Sequence, residues 1–239
     1  MISLAIANYN RVEMTIESFM KVLDNDLVDD IVIMDDYSEP HIYVELWNTV
    51  NTLNANNVYL IRNIENYGAF FNKYRAVKQC KNDWVIVLDC DNIIDGSYIK
   101  IASTLDKKED VLYCPEVLYS LGKEKEQWNY SEFNKGPLDK WNIKEHIESA
   151  LFGTCMNTGN FLVNRKEYID VVELSKIDKW LCLLDSFYFN YLWVAKMNKM
   201  QVVPGLGYEH RIHDGSYYRK NKKLFATIHS ELVKAVKEL

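Results

Sequence analysis

The chain reads as an α/β protein with a mostly parallel sheet flanked by helices. Two observations predict this. Apolar runs of strand length recur without polar alternation, as strands covered on both faces require, and helix-length segments separate them. Three of the runs, Ile2 to Ala7, Ile31 to Met34 and Trp84 to Leu88, end in carboxylate or amide side chains: Asn8, Asp35-Asp36 and Asp89-Cys90-Asp91. In a parallel sheet these three ends face one edge, where open α/β sheets bind their ligands. A polar, acidic site is expected there.

Taken in order, the first strand is followed by a helical segment at Arg11 to Leu23, and the second strand by one at His41 to Leu53. A third strand at Val58 to Ile61 precedes a helix at Ala69 to Gln79, and Trp84 to Leu88 and Val111 to Cys114 supply two more strands. Tyr119 to Lys140, rich in Lys, Glu, Asn and aromatic residues, breaks the pattern and reads as a variable excursion near a substrate. Helical patterning returns at Leu138 to Leu151, and a short apolar run follows at Asn160 to Val163. Asp178 to Lys196 is apolar around most of its circumference, which predicts a buried helix. Lys222 to Leu239 is amphipathic, with Leu224, Phe225, Ile228, Leu232, Val233 and Val236 on one side. Packing back on the sheet explains that stripe. Docking on a membrane surface or partner chain is the other reading, given Lys220, Lys222, Lys223, Lys234 and Lys237 beside it.

With 239 residues, 48% of them hydrophobic, the chain is one large domain or a domain with a lobe, long enough to bury a substantial core. A net charge of −6 argues against a nucleic-acid binder, which needs a basic face for phosphates. The five cysteines, Cys80, Cys90, Cys114, Cys155 and Cys182, contain no close-spaced pair, so a reducing compartment is expected rather than a disulfide framework or zinc knuckle. The chain opens on a strand without a basic leader and an apolar stretch, which predicts no signal peptide. No run approaches the roughly 18 apolar residues that span a bilayer. A cytoplasmic protein, soluble or peripherally membrane-associated, is expected.

Asp89 and Asp91 flank Cys90 at the end of the most apolar strand. If the extended geometry persists, both carboxylates project to one side and Cys90 to the other. Such a pair suits a hard divalent cation, Mg2+ or Mn2+, which keeps waters or substrate phosphates in its remaining positions. An isolated D-x-D is more often a solvated turn; its coincidence with the two other polar strand ends favours a site.

These residues also carry a resemblance. Ala7-Asn8-Tyr9-Asn10-Arg11, Met34-Asp35-Asp36-Tyr37-Ser38, Asn66-Tyr67-Gly68-Ala69 with Asn72, and Leu88-Asp89-Cys90-Asp91 follow the order and spacing of family 2 glycosyltransferases. Thr158-Gly159-Asn160-Phe161 resembles the segment that opens the acceptor half, Leu184-Asp185 the acidic pair with the catalytic base, and His210 to Ser216 the H-x-x-H-x-G-S end motif. The resemblance implies a GT-A fold in one domain, with a nucleotide-sugar half at 1–115, a smaller acceptor and catalytic half at 116–218 and the C-terminal helix at 219–239. It implies an inverting, metal-dependent transferase that uses a UDP, GDP or dTDP sugar and a glycan or lipid-linked glycan acceptor.

Carried over by position, Ala7, Asn8, Tyr9, Arg11, Asn66, Gly68 and Cys90 fall in the donor site. Asp36 would bond the nucleobase while Asp35 supports the loop. Asp89 and Asp91 would face the ribose and the metal-bound diphosphate, with His213 a further metal or phosphate ligand. Asp185 would be the general base, and Gly159, Asn160, Arg211 and Ser216 acceptor or phosphate contacts. The chain departs from the family pattern at Ala7, where a small polar residue is usual, and at Leu184, which replaces an acid; Glu148 or Asp178 are candidates to replace it in space.

Asp185 also stands out on its own. It sits between Trp180-Leu181-Cys182-Leu183-Leu184 and Phe187-Tyr188-Phe189, where a carboxylate must face a pocket or be paired. A sugar nucleotidyltransferase would need a glycine-rich loop after the first strand, and Asn8-Tyr9-Asn10-Arg11 has no glycine. A phosphohydrolase using Asp35 or Asp89 lacks a convincing downstream Lys and acidic loop. A degenerate GT-A domain that binds a nucleotide, glycan or partner is the non-enzymatic alternative.

Overall fold

A computed structural model of the chain describes residues 1–121, 127–211 and 221–239. Among the described residues, eight strands form one mixed sheet in the order β3-β2-β1-β4-β7-β5-β6, with β8 also paired to β5. The parallel part is β1 (Ile2–Asn8), β2 (Val28–Asp35), β3 (Val58–Arg62) and β4 (Trp84–Asp89). Leu4, Ile6, Ile31, Ile33 and Val85 to Leu88 are completely buried, as strands covered on both faces require. Helices α1 (Glu13–Met20), α2 (Pro40–Thr52) and α3 (Ala69–Gln79) make the crossovers.

Register places the polar strand ends together. Asn8 pairs with Asp35 across β1 and β2, and Ala7 pairs with Asp89 across β1 and β4. The winding reverses between β1 and β4, the switch point at which a crevice opens beyond the strand ends.

The second half is antiparallel where it joins the first: β7 (Phe161–Asn164) pairs with β4, and β5 (Val111–Leu121) pairs with β7. The expected excursion at Tyr119 to Lys140 begins as an extension of β5, and β6 (Gln127–Asn129) pairs back on it. Strand β8 (Lys199–Arg211) was hidden by Pro204, Gly205 and Gly207, residues that argue against a strand interior. It runs parallel to β5 across an irregularity between Pro115 and Val117.

Two expected helices differ. Leu138 to Leu151 is not one helix: Leu138 bridges to Met200 and a 3-10 turn occupies Ile143–His146. The Asp139 Oδ1 accepts the amides of Trp141 and Asn142, offering the backbone a turn in place of a helical ladder. The segment ends in the short α5 (Phe152–Met156). Asp178 to Lys196 divides into a 3-10 turn at Leu181–Leu184 and α7 (Asp185–Ala195), because Leu184 leaves the helical region with φ −106° and ψ 62°. Asp185 therefore opens a helix. Helices α4 (Gly96–Thr104) and α6 (Arg165–Leu174) carry side-chain N-caps from Asp95 and Asn164.

The C-terminal helix α8 (Lys222–Lys237) buries Phe225, Ile228, Leu232 and Val236. Its neighbours are the 181–184 turn, α7 and the 143–146 turn rather than the sheet. This stripe is spent on the protein's own body, not on a membrane. Among the described residues no helix is long and apolar enough to cross a bilayer.

Leu232 is completely buried, so Leu232→Ala is expected to cost about 2–5 kcal/mol and lower Tm by roughly 5–15 °C in a calorimetric scan. Deleting Leu224 to Leu239 exposes the whole seat of α8 and is expected to give insoluble protein; a soluble, cooperatively melting truncation would contradict this packing.

Candidate active site

Buried amides and carboxylates lock the strand ends of the parallel half. Asn8 donates to Asp35 Oδ1 at 2.8 Å and accepts from Thr15 Oγ1 at 2.9 Å. Asp35 also accepts the Ser38 amide at 3.0 Å and its hydroxyl, so it holds its own loop as expected. Asn72, on the first turn of α3, donates to the carbonyls of Asn8 at 3.2 Å and Met34 at 3.0 Å. Both connecting loops contain a residue in the left-handed region, Asn10 at φ 54° and Tyr37 at φ 64°, a strain that clusters at functional edges.

Beyond this edge lies a cleft of about 810 Å3. Ala7, Asn8, Tyr9, Arg11 and Asp36 form one wall, residues 65–73 another, and Asp89 to Asn92 the floor. The second half contributes Asn157, Gly159, Lys179, Cys182 to Ser186, Tyr208 and His210, and α8 adds Phe225. The cleft thus joins both halves of the chain.

Asp36 is buried, and its carboxylate accepts the amides of Tyr67 at 2.9 Å and Gly68 at 2.8 Å and the side chain of Asn63 at 2.9 Å. Burial pushes its carboxyl above the ordinary value, and these donors pull it back. Gly68 opens α3 at φ +81°, a conformation that favours glycine, and Asn66 Oδ1 also accepts its amide at 3.1 Å. Tyr9 stands about half exposed at the cleft wall, with its ring available for stacking.

Strand β4 ends at Asp89, so the chain turns through Cys90 and Asp91 instead of staying extended. All three residues consequently reach the cleft. Arg11 pairs with Asp91 Oδ2 at 2.7 Å and donates to Cys90 Sγ at 3.6 Å. Burial, with Asp91 adding, pushes the Cys90 thiol up to about 11, so it is neutral. Asn160 is fully buried outside the cleft lining, and its Oδ1 accepts the Asp89 amide at 2.9 Å; it fixes the strand end. His210 Nδ1 lies 2.9 Å from Asn92 Oδ1, which ties β8 to the same loop.

The residue that organises the centre is Lys73, and the sequence reading missed it. Its ammonium lies 2.6 Å from Asp89 Oδ1, 2.6 Å from Asp185 Oδ2 and 3.2 Å from Ser186 Oγ, with 7% of the side chain exposed. Burial lowers its affinity for a proton, but Asp185 and Asp89 more than reverse this and hold it well above the ordinary lysine value. Asp89 is pushed up by burial; Lys73 opposes the shift, while Asp185 and Asp91 add to it. The signal was present in the sequence: Lys73 sits three residues from both Phe70 and Ala76, inside the buried stripe of α3.

Gly159 leaves the space this cluster uses. A Cβ there would lie 2.6 Å from Ser186 Oγ, 2.9 Å from Asp89 Oδ2 and 3.2 Å from Lys73 Nζ. Arg211 is directed away from the cleft and pairs with Glu17 on α1. Neither Glu148 nor Asp178 lines the cleft, so neither replaces the acid missing at Leu184. The expected ligands His213 and Ser216 lie outside the described residues.

Asp89 and Asp91 offer hard oxygen donors, which fit a divalent cation that completes its shell with water and diphosphate. Among the described residues no three His, Cys, Asp or Glu side chains converge into a ready-made cage.

Residues 3–172 match the family described as glycosyl transferase family 2. The chain belongs to that family. Solved structures share its fold at low identity. S. aureus TarS 1–349 in complex with UDP-GlcNAc aligns with a TM-score of 0.67 and 14% identity, over 95% of this chain and 65% of that one. TarS 1–349 with UDP gives 0.65 and 14%, over 99% and 70%. GalNAc-T7 with UDP, GalNAc and Mn2+ gives 0.61 and 17%, over 89% and 44%. This family 2 chain thus has the GT-A fold, and it spans 64% of another TarS 1–349 structure that it matches. No curated protein sequence matches it.

Gly159→Ala is expected to displace Asp89 and Lys73, cost about 1–3 kcal/mol by overpacking and weaken nucleotide binding at least about tenfold. Calorimetric titration with a nucleotide alongside a thermal melt checks both; unchanged affinity in a folded variant contradicts the packing described.

Proposed function

We propose that this chain moves a sugar from a nucleoside diphosphate donor of the UDP type to a hydroxyl of a glycan acceptor, with inversion at the anomeric carbon. One juxtaposition carries the reading: Asp89, from the nucleotide-side sheet, and Asp185, from the second half, meet at Lys73 inside one cleft. UDP is favoured as the donor base because structures sharing the fold hold UDP or UDP-GlcNAc.

In this reading Tyr9 stacks on the base, and Asp36, with three of its roughly four acceptor positions taken by protein donors, keeps one for a base N–H. Asp185, paired with Lys73, accepts the proton of the acceptor hydroxyl as its oxygen attacks the anomeric carbon. The bond to the diphosphate breaks on the opposite face and its electron pair leaves with the diphosphate. Asp89 and Asp91 would hold Mn2+ or Mg2+, which supplies neutralisation of the charge on that leaving group. Arg11, paired with Asp91, stands where it can also face the diphosphate.

A thermal-shift panel of UDP, GDP and dTDP sugars, with and without manganese, tests the donor assignment. At 100 times its Kd a ligand adds about 2.7 kcal/mol, so a true donor is conspicuous. The expected result is a metal-dependent shift with a UDP sugar that disappears in Asp91→Ala. Asp185→Asn is expected to keep the shift while turnover falls about 10²–10⁴-fold. A metal-dependent shift with no turnover in the wild type would instead support a binding module. No shift with any nucleotide sugar contradicts the proposal.

A further inference from the structure

We propose that Lys73 is a positioning residue for the transfer, holding donor-side Asp89 and the base Asp185 together so that a change at the donor site is felt at the base. The inference rests on the function proposed above, but its geometry stands apart from it.

The ammonium donates a hydrogen bond to Ser186 Oγ and lies at ion-pairing distance from Asp89 Oδ1 and Asp185 Oδ2, so one cation faces both carboxylates. Its stem belongs to α3, and Asn72 pins the start of that helix to the ends of β1 and β2. Lys73 is thus anchored in one half of the chain while its tip grips both. The two carboxylate oxygens lie within about twice 2.6 Å of each other. At that separation in a partly dry site they repel strongly, and the intervening cation keeps both aimed at one point.

Among the described residues, Lys179 and Glu65 also line the cleft. Asp91 pairs with Arg11 at 2.7 Å. Tyr168 of α6 and Tyr208 of β8 are both buried. A merely structural ion pair would join the two halves yet leave donor binding and turnover independent. A positioning role makes the effects of Lys73 and Asp185 on turnover overlap.

The test is a double-mutant cycle with Lys73→Met, Asp185→Asn and the combined variant, following UDP affinity in manganese by calorimetry and kcat with a UDP sugar. Lys73→Met is expected to lower kcat about 100-fold or more, with a smaller change in donor KM. It should add little to the loss already caused by Asp185→Asn. Lys73→Arg, which keeps the cation, should recover part of the activity. If Lys73→Met does not fold, Lys73→Gln takes its place with the same expectations. A folded variant that keeps wild-type kcat, or losses that multiply in the double variant, overturns the proposal. If the wild type binds no UDP or shows no turnover, the transferase reading fails by itself. Crystal structures of wild type and Lys73→Met then decide the role of Lys73: a displaced Asp185 carboxylate supports it, and an unmoved one overturns it.

Discussion

Burying an ammonium among carboxylates is expensive unless each charge is paired and each donor satisfied. At Lys73 the charges are paired, and three distant parts of the chain must agree to pair them. Helix α3 supplies the cation, the end of β4 supplies Asp89, and the first turn of α7 supplies Asp185 and Ser186. Gly159 keeps the space between them free of a side chain. Removing one charge would leave its partners buried and uncompensated, at a cost of about 3–5 kcal/mol. The cluster therefore constrains how the second half docks on the first, as well as the chemistry in the cleft.

The parallel register of β1, β2 and β4 does comparable work on the nucleotide side. Because Asn8 lies opposite Asp35 and Ala7 opposite Asp89, short side chains suffice to connect all three strand ends. Asn8, Asp35, Asn63 and Asn72 are hydrogen-bonded to one another, to Thr15, Asp36 and Arg75, and to the backbone. They form a rigid frame that leaves Tyr9, Arg11 and the Asp89 to Asp91 turn to face a ligand. Preorganised groups of this kind cost little to reorganise when charge moves.

The parallel half was legible in the sequence because local signals agree there: unbroken apolar runs, helix-length spacers and polar strand ends all point the same way. The second half was less legible for identifiable reasons. Pro204, Gly205 and Gly207 disguised β8, which is held in place by pairing with a distant strand. Asp139 diverted an apparently helical segment into turns through side-chain bonds to its own backbone. Lys73 was overlooked because its partners lie 16 and 112 residues away, where no short motif reaches. Asn160 matched a family motif, and its Oδ1 accepts the Asp89 amide, a contact no short motif shows.

In the proposed function, Asp185 directs an inverting displacement on a nucleotide sugar bound at the ends of β1, β2 and β4. Time-resolved proton NMR of a UDP-α-sugar incubated with the chain and manganese tests it most directly, using water or a glycan hydroxyl as acceptor. The first sugar signal to appear should be the β anomer, and Asp185→Asn should slow its appearance about 10²–10⁴-fold. An α anomer appearing first, or equal rates for wild type and Asp185→Asn, would rule this mechanism out.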